Sequence, residues 1–186
     1  MGEKIKLGIS SCLLGEKVRC NGGHTLDRFL ADVLGQYVDY IPVCPEKEAG
    51  FGVPREPVRL VNSAGLEDPR MITKETGIDL TRRMQVWIES RLKQLEKEEL
   101  CGFIFKSQSP SCGVNGLEVY YESGVVQKNG IGIFACAFMK RFPLIPVVEE
   151  KDLRDEVLRE DFIARVVSCY LNLKGEMNEY RTQENG

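Results

Sequence analysis

Apolar residues fall into short runs separated by longer amphipathic stretches. Residues 4–10 (KIKLGIS), 38–43 (VDYIPV), 101–106 (CGFIFK) and 143–150 (PLIPVVEE) each read as a short buried strand. A weaker strand, VRLV, sits at 58–61. GLEVYYESGVVQ (116–127) alternates around Ser123-Gly124 and reads as a hairpin. Between these runs the period changes to helical. Leu26, Phe29, Leu30, Val33 and Leu34 predict a helix over 24–37, with Gly35 near its end. Leu80, Met84, Trp87, Ile88, Leu92 and Leu95 predict a stronger one over 79–99. Further helices are predicted over 130–142 and over 152–173, the latter capped by Asp152. The stretch 45–70 is irregular, rich in Gly and Pro, and long enough to suggest a functional loop.

Strands and helices alternate, which predicts an α/β fold: a single Rossmann-like three-layer domain with a mainly parallel sheet. We place that domain at 1–175 and a polar, frayed tail at 176–186. A chain of 186 residues buries a core without disulfide staples. The formal net charge of -3 gives no footprint for nucleic acid. No run is long and apolar enough for a membrane span, and no secretory signal or myristoylation pattern opens the chain. A cytoplasmic protein is therefore expected. Dinucleotide-binding and Walker A patterns are absent.

Seven cysteines is a high count, and an odd one. In a reducing compartment they are buried, catalytic or metal-bound more often than paired. With one histidine, His24, a Cys2His2 zinc finger is impossible, and the lack of any CxxC pair argues strongly against zinc ribbons and thioredoxin chemistry. Three cysteines stand apart from the rest. Cys12, Cys44 and Cys112 each follow a predicted strand and precede small or turn-forming residues. In a parallel sheet all strands end on one edge, where ligands bind, so these cysteines are expected to meet. Gly15, Gly50, Gly113 and Gly116 would let backbone approach a bulky ligand. Ser10, Ser11, Ser109 and Ser111 could donate hydrogen bonds to sulfur or to an anion. Three thiolates suit soft metals: zinc, or an iron–sulfur cubane with one open iron. Spacing does not choose between them. Cys20, Cys101, Cys136 and Cys169 read as small buried hydrophobes.

SSCLLGEKVRCNGGH, PVCPEKEAGFGVPREPVRL and KSQSPSCG together resemble the DUF523 family, which includes the thiouracil desulfidases. The resemblance runs through most of the chain. It implies a [4Fe-4S] cluster held by Cys12, Cys44 and Cys112, with zinc the lesser alternative. It implies a non-redox desulfidase, whose open iron takes the sulfur of a small thiolated nucleobase such as 2-thiouracil while water attacks the ring carbon. Glu46 matches the acid–base position, with Glu48 in reserve. Ser109 matches the orienting hydroxyl, with Ser111 second. Arg55, Glu56 and Arg59 form a charged group in the same motif; His24 reads as structural. Cys20 departs from the family pattern, which usually has an aromatic residue there, so it is a candidate fourth ligand or pocket wall. A non-catalytic cluster or zinc module would instead be fully coordinated by protein. Sulfur insertion into tRNA would need a basic surface that the charge balance does not supply.

Overall fold

The computed structural model describes residues 3–62 and 69–184, with side chains to residue 175. Residues 63–68 of the irregular stretch lie outside the described residues. Four strands form an all-parallel sheet: β1 (Ile5–Ser10), β2 (Val38–Val43), β5 (Phe103–Phe105) and β8 (Val147–Glu149), in the order β2-β1-β5-β8. The other four, β3 (Val58–Asn62), β4 (Arg70–Thr73), β6 (Leu117–Tyr121) and β7 (Val126–Gly130), form a second sheet in the order β4-β3-β6-β7. There β3 and β6 run parallel, while β3–β4 and β6–β7 run antiparallel.

The expected single sheet is thus corrected to two. The hairpin and the VRLV strand pair with each other rather than extending the parallel sheet. β4 falls in the stretch expected to be irregular, because four residues beside Pro69 carry too little alternation to register as a strand.

Side chains alternate across the parallel sheet. Phe103 and Phe105 point to one face and pack with Phe134 and Phe138 of α3 (Ile133–Arg141) and Met84 and Ile88 of α2 (Thr81–Leu95). Val58 and Met71 join the same cluster, so one core spans both sheets. Leu7, Ile9 and Ile104 point to the other face, against Leu30 and against Phe162 and Val166 of α4 (Glu156–Glu184). Helices on both faces give the expected three layers around this sheet. Gly8 allows one tight contact, since a Cβ there would sit 2.2 Å from the Phe103 ring.

Two predicted helices change form. Over 24–37 there is only a π-type turn at Phe29–Val33 and a 3-10 turn at Leu34–Gln36. Only Leu30 of its apolar residues is buried, and the Tyr40 hydroxyl donates to the Leu30 carbonyl at 3.0 Å, sharing that acceptor with the helical ladder. The last helix is capped by Asp155, whose Oδ1 accepts from the Leu158 amide at 3.1 Å; Asp152 belongs to a separate 3-10 turn. Its backbone stays helical to Glu184, through most of the span read as a frayed tail.

Candidate functional site

The parallel sheet has β1 between β2 and β5, so the chain leaves β1 toward opposite sides on its next two visits. The carboxyl edge beside such a reversal is where open α/β sheets leave a crevice. Cys12 follows β1 in a 3-10 turn, Ser11–Leu14. Cys44 directly follows β2 and opens a short helix, α1 (Pro45–Glu48). Cys112 lies in the loop after β5. Cys44 and Cys112 line a crevice of about 500 Å³ whose opposite wall comes from the mixed sheet through Arg59, Leu117, Glu118 and Tyr120. Cys12 is 9% exposed and does not line the crevice. Its charge acts on both Cys44 and Cys112, and Cys44 acts on Cys112. Cys44 and Cys112 thus share one crevice, and Cys12 is near enough to both to push their pKa values up.

Burial raises the pKa of each of these thiols, that of Cys44 to about 11. A neighbour opposes that rise at each sulfur: Thr25 for Cys12, the Lys47 amide for Cys44, and Ser10 for Cys112. Cys20 lines the crevice, and its carbonyl accepts from the Arg55 amide at 2.8 Å. It is not among the leading influences on the three sulfurs. All seven cysteines are free thiols. Among the described residues, no three His, Cys, Asp or Glu side chains cluster closely enough to hold one metal ion.

Glu46 lies on the crevice wall. Its Oε2 accepts from Arg55 Nε at 2.8 Å, and its Oε1 accepts from Ser111 Oγ at 2.6 Å. The pair is well covered, with side-chain exposures of 7% for Arg55 and 12% for Glu46. Arg55 Nη1 donates to the carbonyls of Val18 and Gly52, fixing the guanidinium across the loops. Glu48 does something else. Its Oε1 accepts from the Cys44 amide at 2.8 Å and its Oε2 faces Arg91 of α2 at 3.3 Å. It holds the turn that presents Cys44 and does not line the crevice.

The two serines also divide. Ser109 Oγ accepts from the amides of Ser111 and Cys112, at 3.3 and 3.2 Å, and so shapes the cysteine turn. Ser111 is fully buried and gives its hydroxyl to Glu46. Of the other charged candidates, Glu56 accepts from the Glu75 and Thr76 amides and the Thr76 hydroxyl, closing a surface turn. Arg59 lies over the Tyr120 ring at 5.3 Å on the crevice wall. His24 Nδ1 accepts from the Leu26 amide in a local exposed turn, as its structural reading expected.

Three residues that fix the Cys112 loop carry no signal in one sequence. Glu150, after β8, accepts from Lys106 Nζ at 2.5 Å, from the Ser107 amide at 2.6 Å and from Ser107 Oγ at 2.8 Å. Burial would raise its pKa, but the bonds from Lys106 and Ser107 outweigh burial and hold the carboxyl below its ordinary value. Glu149 Oε1 accepts from the Val114 amide at 2.7 Å at the loop's far side. Gly132, at the start of α3, lies directly against the loop backbone. A Cβ there would come within 2.5 Å of the Ser111 carbonyl carbon and 2.7 Å of the Cys112 nitrogen. No rotamer change relieves a clash with backbone. Gly132→Ala is expected to destabilise the fold by about 1–3 kcal/mol and to displace Cys112. Thermal melting together with iron uptake checks both effects.

A family model described as 2-thiouracil desulfurase matches residues 7–150. The uncharacterized protein YbbK of Bacillus subtilis (strain 168) is 30% identical over 150 residues, which cover 79% of this chain and 97% of that protein. Among solved structures, the [4Fe-4S]-dependent thiouracil desulfidase TudS matches with a TM-score of 0.62 and 29% identity. That match covers 86% of this chain and 99% of TudS.

Proposed function

The chain belongs to the 2-thiouracil desulfurase family, and from that premise we propose that it removes sulfur from a thiolated pyrimidine, or a related small thiocarbonyl compound, to give the oxo product. The observation that carries this reading is the placement of Cys44 and Cys112 on one crevice, with Cys12 near both and the Glu46 carboxylate on the wall. Three soft donors and no nearby imidazole suit iron–sulfur chemistry. The absence of a three-ligand cluster sized for one ion, among the described residues, counts against the zinc alternative. A cubane is larger than a single ion, so its ligands stand further apart. Cys12, Cys44 and Cys112 would hold it.

When bound, a [4Fe-4S] cluster with one iron free of protein ligands supplies a Lewis acid for the thiocarbonyl sulfur. The rest falls to this chain. The overall change is hydrolytic: water supplies the oxygen, C=S becomes C=O, and the sulfur departs at the oxidation level of sulfide. Electrons balance without an external reductant. Glu46 takes the proton from the attacking water and returns it to the departing sulfur or the ring. Arg55 and Ser111 hold that carboxylate at two points, so it is oriented before substrate arrives. Each of its oxygens keeps acceptor capacity for a water molecule. Ser109 sets the turn of Cys112, and its own hydroxyl hydrogen is available toward the crevice that it lines.

The test is anaerobic purification, reconstitution with iron and sulfide, and ultraviolet absorbance of 2-thiouracil. About four irons per chain, with conversion to uracil, is the expected result. Stoichiometric zinc without iron uptake would overturn the cluster. A full cluster inert toward every thiocarbonyl compound offered would favour a closed sensing module.

A further inference from the structure

GVPREPVRL carries three charged residues, and the structure gives two of them protein partners. Arg55 is bound to Glu46 and to two loop carbonyls, and Glu56 closes a surface turn. Arg59 is different. Among the described residues no hydrogen bond or ion pair reaches its guanidinium, and its Nε is buried without a partner. A planar group with five N–H donors is thus left on the crevice wall, over the Tyr120 ring at 5.3 Å. A buried donor left unpaired is costly, so its place argues for an acceptor that is not part of the chain.

The residue is held by rigid backbone. Arg59 lies within β3, which pairs with β4 on one side and β6 on the other. Its neighbours Val58 and Leu60 are buried, and alternation turns Arg59 to the opposite face. The carboxylate on the same wall is already answered: Glu118 accepts from the Tyr120 hydroxyl at 2.9 Å and faces Lys128 at 3.9 Å. Cys44 and Cys112 stand on the wall across from Arg59. A pyrimidine that turns its thiocarbonyl toward those cysteines therefore presents another edge of its ring to the guanidinium. On a ring such as 2-thiouracil that edge carries a carbonyl oxygen. We propose that Arg59 is a substrate-binding residue that donates to this second, oxygen-bearing carbonyl, so that the site selects thiolated rings that carry one. This role rests on the desulfidase reading above. Its size follows from the same unpaired donor: a ring without the oxygen leaves the guanidinium as it stands here, and gains nothing from it.

Arg59→Met keeps most of the side chain's length and removes every donor. The unmutated and variant proteins are reconstituted anaerobically and matched for iron. Binding is read by titration calorimetry with uracil and with pyrimidin-2-one, the same ring without the second carbonyl. Turnover is read with 2-thiouracil and with pyrimidine-2-thione. The unmutated protein is expected to bind uracil about 10–100-fold more tightly than pyrimidin-2-one, the worth of one hydrogen bond from a charged donor. In the methionine variant that preference is expected to vanish, and the kcat/KM preference for 2-thiouracil to shrink by a similar factor, through KM rather than kcat. Equal binding of the two oxo rings by the unmutated protein overturns the role of Arg59, and this needs no variant to fold. So does a preference that survives in Arg59→Met, or in Arg59→Ala should the methionine variant misfold. In each of those cases conversion of 2-thiouracil by the unmutated protein leaves the desulfidase reading standing. An iron-loaded protein that converts neither thione overturns that reading, and the role of Arg59 with it.

Discussion

Cys112→Ala is expected to lose iron binding and, with it, the proposed desulfuration, while the chain stays folded. The cysteine is 5% exposed and sits where three supports converge: the Ser109 turn, the start of α3 at Gly132, and the Glu149 and Glu150 carboxylates. Alanine fits this backbone unchanged, so folding costs are confined to a small cavity of about 1–2 kcal/mol. The donor set falls from three sulfurs to two, which cannot hold a cubane of this kind. Iron per chain is expected to fall well below one, and 2-thiouracil absorbance to stay constant. Cys12→Ala and Cys44→Ala are expected to match it. Cys136→Ala, outside the crevice, is expected to keep iron and turnover; a variant of Cys112 that kept its four irons would remove the ligand assignment.

The parts of this site that were legible in the sequence are those encoded by neighbours along the chain. β2 ends at Val43, one residue before Cys44, where the apolar run stops; β1 and β5 stop in the same way short of Cys12 and Cys112. Parallel topology then carries three such ends to one edge. What was illegible depends on contacts between distant residues. Nothing local in VRLV or in the 116–127 hairpin says whether they extend the first sheet or found a second. That choice is made by the pairing of β3 with β6 across some sixty residues. β4 is four residues long, and its Met71 and Ile72 are buried by α2 and β3 rather than by any pattern of its own.

The serines and glutamates show the same limit at finer scale. SQSPSC offers the hydroxyls of Ser109 and Ser111 among its three, and CPEKE two carboxylates, all within four residues of a cysteine. Only the fold separates them. Ser111 faces Glu46 while Ser109 faces backbone amides, and Glu46 faces the crevice while Glu48 turns back onto the Cys44 amide.

That division of the two glutamates gives the second large effect. Glu46→Gln keeps an oxygen and an amide of similar shape in the same place, and so keeps most packing. It removes the negative charge beside Arg55 and the group proposed to move a proton. The variant is expected to load iron normally and to lose kcat by about 10²–10⁴-fold, the range typical of a missing general acid–base group. The uncompensated, largely covered Arg55 costs stability as well, by up to about 3 kcal/mol. A thermal melt and an iron count on the same sample separate that cost from the chemistry. Glu48→Gln is the control, because it changes charge at the same motif without touching the crevice wall. Glutamine Oε1 still accepts from the Cys44 amide, so turnover per iron should stay within about threefold of the unmutated protein. If both variants lost turnover equally at full iron content, the loss would follow the charge of α1 as a whole, and Glu46 would not be the proton carrier. If Glu46→Gln kept its kcat, the proton would have to pass through another group on the crevice wall, with Glu118 the remaining carboxylate there.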